Sequence, residues 1–301
     1  MSYFDVYFKI YIYKLYVFFK YKMVSDSLYV KRVFKINHGY NLSLNRPSTL
    51  NEKIQWMKLN YSHPSEKLFA DKLLVRDYIK SEFGEDLLVP LIFATKDIKL
   101  INENFIPEFP VIIKTNHDSG SYLIIRNKYN QNWEKIRNYF LFQLNKNYFW
   151  GSREKQYKFI EPFILVEKLL LDVNGKIPND FKFHCINGIV EFIYVSVDRE
   201  GDNFRLMYSK SWEQLNFCWL PKDKKNKNNP NIHLINKPNN LNRMIEISEK
   251  ISKQFKYVRV DFYEVDGKLF FGEITQHHGS GNYPIRPIYY DYFYGNKIKL
   301  N

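Results

Sequence analysis

Two carboxylate-bearing stretches near the end of the chain could hold a metal ion. Arg259-Val260-Asp261 and Glu273-Ile274-Thr275 lie in alternating apolar runs on either side of Asp266-Gly267. An Asp-Gly pair between such runs is typical of a β-hairpin, which brings two strands side by side. Neighbouring carboxylates repel each other unless a cation lies between them, and hard oxygen ligands near phosphate suit Mg²⁺. A carboxylate pair on a polar surface would give the same pattern.

The length of this turn decides whether the two carboxylates meet. A two-residue turn would send Asp261 and Glu273 to opposite faces, because side chains alternate along a strand. A three-residue loop, Val265-Asp266-Gly267, would pair Arg259 with Glu273 and place both carboxylates on one face with Thr275. We expect the three-residue loop. A strict two-residue register without a compensating bulge would exclude the metal site.

A lysine at the end of an apolar run could bind phosphate. Val111-Ile112-Ile113 is typical of a strand, Lys114 follows it, and the polar loop Thr115–Ser121 contains Ser119 and Gly120. The amides of such a loop and the lysine ammonium can together hold an anion. The spacing of a Walker phosphate loop is absent, and an ordinary turn after a strand explains this stretch better when it is taken alone.

Three more polar stretches could contact a nucleotide or a substrate. Glu167-Lys168-Leu169 ends an apolar run and could offer backbone groups to a flat base. In Asp180-Phe181-Lys182-Phe183 the two polar side chains share a strand face that points away from the core. Asp71-Lys72 and Arg76 lie one helical turn apart, which fits either a functional role or a solvated, charged helix face.

Helices are expected first along the chain. Thr49-Leu50-Asn51-Glu52 is a capping box that starts one helix, and Ser65 predicts the start of a second that runs to Gly84. Trp133 to Leu144 and Asn242 to Phe255 also have helical spacing.

Strands and hairpins are expected later, and the order predicts an α+β protein with at least two lobes. Lys222 to Asn240, rich in Lys, Asn and Pro, predicts a solvated loop. The predicted strands are Phe109–Ile113, Phe163–Val166, Phe181–Ile186 with Ile189–Val197 around Asn187-Gly188, and Tyr257–Glu264 with Lys268–Thr275.

The charge balance favours an acidic partner. The 301 residues include 45 Lys and Arg against 32 Asp and Glu, a net charge of +13. Phosphates, nucleic acid, anionic lipid or an acidic polymer would all satisfy this surplus. Cys185 and Cys218 lack a paired spacing, so we expect no disulfide framework, which fits the cytoplasm.

The first 22 residues are aromatic and basic. Charges interrupt them too often for a membrane span or a signal peptide. They could form a helix docked on the protein itself, or a peripheral helix at a membrane surface. The interrupting charges are Asp5, Lys9, Lys14, Lys20 and Lys22.

Arg46 to Leu59, RPSTLNEKIQWMKL, resembles the opening signature of the TupA-like ATP-grasp family, named for teichuronopeptide synthesis. The resemblance covers about Ser27 to Ile298. Further stretches follow in the family's order, namely Asp71-Lys72 to Arg76, Lys114-Thr115-Asn116-His117, Asp180 to Phe183, Val258 to Asp261, Phe271 to Thr275 and Gly279-Ser280-Gly281.

The resemblance implies an α+β ATP-grasp fold in which two lobes clasp the nucleotide, with a helical N-terminal region. The expected segments are a basic-aromatic helix at 1–25, a helical region at 26–108, a small lobe with the phosphate loop at 109–165 and a large lobe with the metal hairpin at 166–301.

The resemblance also implies roles for particular residues. Lys72 and Lys114 would hold the ATP phosphates beneath a loop containing Ser119 and Gly120. Arg259 would face the acyl phosphate and the later oxyanion. Adenine is expected at Glu167, Lys168 and Leu169, ribose at Asp180, phosphate or substrate at Lys182, and Mg²⁺ at Asp261, Glu273 and Thr275.

Two departures from the family pattern concern the end of the site. The third metal position, commonly Asn, is Thr275, a weaker ligand. Gln276-His277-His278 stands where the family has a proline-containing stretch, so an unusual acceptor side is expected. Adjacent histidines on an extended chain point apart and rarely chelate one ion.

The activity implied is an ADP-forming carboxylate–amine ligase that uses ATP and Mg²⁺. The expected partners are an acidic sugar or glycan precursor and a small amine, without nucleic acid. A uronic acid of a capsule or O-antigen glycan would be amidated by an amino acid or amino alcohol, in the cytoplasm or at the inner face of the membrane. A phospho- or glycosyltransferase on the same fold, or a basic nucleic-acid-binding protein, are the alternatives.

Overall fold

The computed structural model describes residues 3–201, 203–222 and 235–300, so most of the predicted Lys222–Asn240 loop lies outside the described residues. The α-helices are α1 (Tyr3–Val17), α2 (Asp26–His38), α3 (Leu50–Asn60), α4 (Glu66–Ala70), α5 (Val75–Phe83), α6 (Trp133–Leu144), α7 (Tyr148–Ser152), α8 (Leu241–Ser252) and α9 (Tyr289–Lys297). The strands are β1 (Leu91–Thr95), β2 (Val111–Thr115), β3 (Tyr122–Ile125), β4 (Ile164–Lys168), β5 (Asp180–Ile186), β6 (Ile189–Val197), β7 (Phe204–Tyr208), β8 (Gln214–Leu215), β9 (Cys218–Trp219), β10 (Tyr257–Val265), β11 (Lys268–Thr275) and β12 (Ile285–Arg286).

The chain divides into two compact units. The first comprises Met1–Tyr29, Ser65–Glu82 and Val89–Leu169, and the second comprises Val30–Pro64, Phe83–Leu88 and Leu170–Asn301. The region predicted as one helical segment at 26–108 contributes to both units. The lobe boundary was predicted after residue 165. The chain passes from the first unit to the second for the last time after Leu169, four residues later.

The first unit is built on a four-stranded antiparallel sheet in the order β1-β4-β2-β3. Helix α6 packs on this sheet through Ile136 and Phe140, which contact Ile113 and Val166 in one buried cluster. The predicted helix Trp133–Leu144 is confirmed with the same bounds. The predicted strands here are confirmed with small shifts of their ends.

The single helix predicted from Ser65 is two helices, α4 and α5, and that prediction was wrong. Ser65 makes no side-chain cap at the start of α4. The Asp71 carboxylate accepts hydrogen bonds from Leu73 N (2.9 Å) and Leu74 N (3.3 Å). Asn116 Nδ2 donates to the same carboxylate at 2.9 Å. An aspartate side chain that accepts hydrogen bonds from the backbone N–H groups just after it competes with helix continuation. Helix α4 therefore ends before Asp71, and α5 begins a few residues later.

Helix α1 docks on its own unit, which confirms the docked-helix interpretation. Val6, Ile10 and Val17 are buried along one side of it. The Tyr13 ring lies edge-on to Phe142 of α6, with 5.7 Å between ring centroids. Within the part of the chain that the structure describes, no helix is long and apolar enough to cross a membrane.

A buried arginine anchors the segment that follows α1. Arg153, in the left-handed conformation after α7, is fully buried. Its Nη2 donates to the carbonyls of Tyr21 (2.6 Å) and Val24 (3.3 Å), and its Nε lies 3.1 Å from Asp26 Oδ1. The guanidinium also lies 4.6 Å from the centroid of the Tyr29 ring. Residues 21–29 are thereby held to the first unit.

The second unit is built on a six-stranded antiparallel sheet in the order β11-β10-β5-β6-β7-β8. The predicted hairpin between β5 and β6 is confirmed, with Asn187 and Gly188 at positive φ (51° and 86°) as a tight turn requires. Helix α8 packs against β5, β6 and β10. The residues Leu50, Ile54, Met57, Phe192, Trp219 and Tyr294 form a buried cluster in which α3 and α9 meet the sheet and β9.

The predicted capping box at the start of α3 is confirmed. Glu52 N donates to Thr49 Oγ1 at 3.1 Å, and Thr49 N donates to Glu52 Oε2 at 3.2 Å. Asn51 then bonds the Asp291 carboxylate of α9 through its backbone N (3.0 Å) and its Nδ2 (2.9 Å). The start of α3 is therefore fixed both locally and to α9.

Candidate functional site

The β10–β11 hairpin has a two-residue turn, so the expected three-residue loop was wrong. Val265 pairs directly with Lys268 across Asp266 and Gly267. Both turn residues have positive φ, 50° and 77°. Two positive φ values in succession characterise the turn that best matches strand twist, and Asp-Gly favours it without a third residue.

A bulge farther along the hairpin restores the face that this turn would have lost. The strands change register between Val260 and Phe262. Two residues of β11, Gly272 and Glu273, there oppose the single residue Asp261 of β10. A Cβ at Gly272 would lie 3.1 Å from the Asp261 carbonyl oxygen, so the bulge favours glycine. Glu273 consequently lies on the same face as Asp261. The shared face was predicted, but it results from the bulge and not from a three-residue loop.

Arg259, Asp261, Glu273 and Thr275 form one polar patch on that face. Arg259 Nε and Nη2 donate to the two oxygens of Asp261, each at 2.7 Å. The same Nη2 donates to Glu273 Oε1 at 2.7 Å, and Thr275 Oγ1 donates to that oxygen at 3.3 Å. Arg259 pairs directly with Thr275 across the two strands, and not with Glu273 as expected.

Strand β5 adds Asp180 and Lys182 to this patch. Lys182 pairs with Asp261 across the sheet, and its Nζ lies 2.7 Å from Asp261 Oδ2 and 2.5 Å from Asp180 Oδ2. Arg199 Nη1 lies 3.9 Å from the same Asp180 oxygen. The two side chains share a face as predicted. Asp180 is nevertheless buried, because the ion cluster covers it.

The cluster holds its charges out of water. Burial raises the pKa of Asp261, while the neighbouring Arg259 and Lys182 act in the opposite direction. Burial acts to lower the pKa of Arg259, but Asp261 and Glu273 outweigh it, so the pKa rises overall. Arg259 therefore stays cationic, held in one orientation by two carboxylates.

His278 completes the surroundings of Arg259. Its Nδ1 lies 2.7 Å from Arg259 Nη1. Because a guanidinium can only donate, this Nδ1 must be the unprotonated ring nitrogen. Burial and the Arg259 charge lower the pKa of His278 well below its usual value, which agrees with a neutral ring. The ring lies against Trp219 (4.3 Å between centroids) and His184 (5.0 Å).

Polar residues of helix α3 hold the turn at residues 279–281, which directly follows His278. Residues 279–281 all have positive φ, between 54° and 68°. Gln55 Nε2 donates to the carbonyls of Ser280 (3.0 Å) and Gly281 (3.1 Å). Lys58 Nζ bonds the Ser280 carbonyl and hydroxyl oxygens, each at 2.9 Å. These buried polar residues of α3 thus act as supports for the end of the hairpin region.

In the first unit, Glu167 holds two cations. Lys114 Nζ lies 2.5 Å from Glu167 Oε2, and Arg76 Nη1 lies 3.1 Å from Oε1. Adjacent strands β2 and β4 bring Lys114 and Glu167 together. Arg76 also donates to the Val89 carbonyl at 2.8 Å, which fixes it in place. The carboxylate therefore positions Lys114, a role that the sequence did not suggest.

The stretch expected to contact adenine already uses its amides. Lys168 N donates to the Pro90 carbonyl (2.9 Å), and Leu169 N donates to the Pro110 carbonyl (3.0 Å). Only the carbonyls of these two residues, and not their N–H groups, remain for a base. The adenine contact at Glu167 to Leu169 stays a prediction in that narrower form.

The predicted phosphate loop is ordered from within by Asp118. Its carboxylate accepts from Thr115 Oγ1 (2.5 Å) and from the Ser121 hydroxyl, and its carbonyl accepts from Lys72 Nζ. Ser119-Gly120 is exposed at the tip of the loop, with Gly120 at a φ of 96° that favours glycine. The loop therefore presents a small, accessible backbone segment beside Lys72.

Comparison with known proteins decides the family. The TupA-like ATPgrasp family profile matches residues 52–299. The chain belongs to this family. No curated protein matches the chain.

Solved structures resemble this TupA-like ATP-grasp chain only distantly. A D-alanine–D-alanine ligase from Bacillus anthracis complexed with ATP is 15% identical, with 69% of this chain and 54% of that chain covered and a TM-score of 0.38. The ATP-grasp ligase PsnB with minimal precursor, Mg and ADP is 11% identical, with 76% and 58% covered and a TM-score of 0.39. A D-alanine–D-alanine ligase from Helicobacter pylori is 13% identical, with 84% and 70% covered and a TM-score of 0.40. The chain spans little more than half the length of the first two.

The side chains expected to bind magnesium in this TupA-like protein fit the ion by donor type. Asp261, Glu273 and Thr275 supply hard oxygens on one face, as Mg²⁺ prefers. Arg259 and Lys182 already bind both Asp261 oxygens, whereas the Glu273 side chain is 35% exposed. Glu273 with Thr275 is therefore the accessible part of the donor set. Across residues 3–201, 203–222 and 235–300, no group of three or more His, Cys, Asp or Glu side chains is arranged to hold a metal.

What the sequence did not reveal is which residues position others, including Glu167, which it had assigned to adenine. His278 orients Arg259, Glu167 orients Lys114, and Gln55 with Lys58 supports the 279–281 turn. A faint signal existed for Gln55 and Lys58, because polar residues within an otherwise apolar helix face call for buried partners. The bond between Arg259 and His278 depends on the bulge and could not be read from spacing.

Proposed function

We propose that this chain is an ATP-dependent carboxylate–amine ligase that forms ADP through an acyl phosphate. The observation that supports this activity best is the fixed guanidinium of Arg259, held by Asp261, Glu273 and His278 in a buried cluster. A cation fixed in advance, away from water, stabilises charge that develops on a reacting oxygen without reorganising. Acyl transfer develops such an oxyanion.

Each unit contributes its own charges to this chemistry. In the second unit, Lys182 lies beside Arg259 and neutralises charge on the transferring phosphoryl group. In the first unit, Lys114 and Lys72 are assigned to the nucleotide phosphates, with Glu167 and Asp118 setting their positions. No nucleophile from the protein is required, because the carboxylate oxygen attacks the γ-phosphorus and releases ADP. The amine then attacks the acyl carbon, which releases inorganic phosphate and a proton.

A magnesium ion, when bound through Glu273 and Thr275 with Asp261 beside them, would supply charge neutralisation on the phosphate oxygens. The side chains themselves select for a cation by their negative charge. Arg259 and Lys182 neutralise the Asp261 carboxylate within the cluster.

For the substrate, we propose the carboxylate of a hexuronic acid in a capsule or O-antigen precursor, amidated by an amino acid or amino alcohol. The naming of the family for teichuronopeptide synthesis and the net charge of +13 support an anionic glycan. We place the reaction in the cytoplasm, at the inner face of the membrane.

The test is a screen of ADP release in which uronic acids are crossed with amines. We expect ADP only when ATP, Mg²⁺, a uronic acid and an amine are all present, together with the mass of one amide product. Nucleotide turnover that no amine increases, with a phosphorylated or glycosylated product, would establish the transferase alternative instead. Arg259→Lys serves as the matched variant, because it keeps the charge and loses the fork of donors.

A further inference from the structure

Helix α1 is apolar on two opposite sides, and only one of them is covered. Val6, Ile10 and Val17 lie on the docked side and are 2–5% exposed. A helix turns by roughly 100° per residue, so positions 8, 11, 12 and 15 lie together about half a turn away from that side. They are Phe8 (59% exposed), Tyr11 (59%), Ile12 (47%) and Leu15 (39%).

Exposed lysines lie on both flanks of this outer apolar face. Lys9 projects on one side of it and Lys14 on the other, by the same helical spacing. The pattern continues into the π-helical turn Phe18–Lys22, where Phe19 is 65% exposed and Lys20 and Lys22 are exposed. Aromatic and aliphatic side chains are thus bordered by positive charge along the whole segment.

We propose that this outer face of α1 binds the surface of an anionic membrane. Phe8, Tyr11, Ile12 and Leu15 would enter the boundary between headgroups and acyl chains, and the flanking lysines would reach the lipid phosphates. Tyrosine and phenylalanine suit this boundary, and lysine stems lie along apolar surface while their ammonium groups stay in water. The proposal does not rest on the ligase activity.

The flanking charges favour a lipid surface over a second copy of this chain. Two such faces placed together would bring Lys9 and Lys14 of one copy near those of the other, and like charges repel. An anionic bilayer instead attracts every one of these lysines. Asp5 is the single acidic residue among residues 3–22.

The test is flotation of the full chain with vesicles of phosphatidylcholine alone or mixed with phosphatidylglycerol. We expect binding to the anionic vesicles, weakened by salt, and little binding to the neutral ones. Phe8→Gln, Ile12→Gln and Leu15→Gln combined should abolish it. Lys9→Gln and Lys14→Gln should each weaken it about fivefold, as expected for roughly 1 kcal/mol per basic residue.

Matched controls lie elsewhere on the first unit. Phe105→Gln with Phe159→Gln removes apolar side chains that are 54% and 72% exposed, and Lys99→Gln with Lys135→Gln removes two exposed charges. Neither pair should change vesicle binding. Melting temperatures should stay unchanged throughout, because every substituted side chain is at the surface. If the triple variant unfolds, Phe8→Gln alone must still weaken binding.

Three outcomes would overturn the proposal. The first is that the full chain does not float with anionic vesicles even at low salt. The second is that the control pairs reduce binding as much as the α1 variants do. The third is that light scattering shows a dimer that the triple α1 variant converts to a monomer, which would assign the face to a second copy of the chain.

Discussion

At the scale of single side chains, the candidate site depends on cations held in advance by buried anions or by a neutral ring. Arg259 is held by Asp261, Glu273 and His278, and Lys114 is held by Glu167. Each support restricts where a positive charge can lie before any substrate arrives. Because preorganised charge costs no reorganisation during the reaction, the supports matter as much as the cations.

His278 should act on turnover and not on substrate affinity. In His278→Leu, Arg259 Nη1 loses its acceptor and the guanidinium is free to shift, so we expect kcat to fall by about 100-fold with KM little changed. His278→Gln offers an amide oxygen in a similar place and should recover most of the loss. Equal kcat values for Leu and Gln variants, at equal melting temperatures, would show that the ring serves packing alone.

Lys114 should be needed for both activity and stability. Lys114→Met leaves the buried Glu167 with Arg76 as its remaining cation, so we expect unfolding to become easier by about 2 kcal/mol and ADP formation to be lost. Adding Glu167→Gln should restore neither, because Arg76 then loses its carboxylate as well and no ammonium returns for the phosphates. A double variant that regains turnover would contradict the phosphate role.

At the scale of elements, the β10–β11 hairpin controls which groups meet. Its turn came from Asp266-Gly267 in the expected place, but the register came from a bulge at Gly272-Glu273. Nothing local distinguishes Gly272 from a glycine used for flexibility. The same limit explains the break between α4 and α5, since Asp71 is bonded by Asn116 from 45 positions later in the chain. By contrast, the Thr49 cap and the Asn187-Gly188 turn are local, and both were predictable.

Gly272→Ala should disturb the bulge. The new Cβ would lie 3.1 Å from the Asp261 carbonyl oxygen, and backbone yields less easily than a flexible side chain. We expect the free energy of unfolding to fall by about 1 to 2 kcal/mol. Turnover should fall by a larger fraction than the free energy of unfolding does, because Glu273 leaves its position. The control is Gly151→Ala, where no atom lies within 4 Å of the added carbon. Equal behaviour of the two variants would count against the bulge as a positioning device.

At the scale of the whole molecule, buried titratable groups make stability depend on pH in opposing directions. Burial raises the pKa of Asp291 to about 6, so the folded state holds its proton more tightly than the unfolded chain. This group alone makes stability fall as pH rises from 4 to 6. Burial lowers the pKa of His38 to about 4, so that group makes stability rise over nearly the same range. The two contributions largely offset each other.

Asp291→Asn should remove the contribution of Asp291 and leave that of His38. We expect the free-energy difference between variant and wild type to change by about 2.4 kcal/mol in the variant's favour between pH 4 and pH 7, for a shift of about two pKa units. Urea unfolding at both pH values measures it. Asp77→Asn, at an exposed position of α5, should show no such change. A difference independent of pH would mean that Asp291 is ionised throughout.

The Arg153 anchor marks how much of the chain's beginning can be exchanged by protein engineering. The sequence of residues 1–22 sets no such limit by itself. In the structure, the carbonyls of Tyr21 and Val24 and the carboxylate of Asp26 are the partners of a guanidinium with no access to water. A deletion through Lys22 would strip one of them, whereas a replacement that stops at Val17 would keep all three. A chimaera joined at that residue would keep the Arg153 anchor, and its new helix would have to supply apolar side chains in place of the buried Val6 and Ile10.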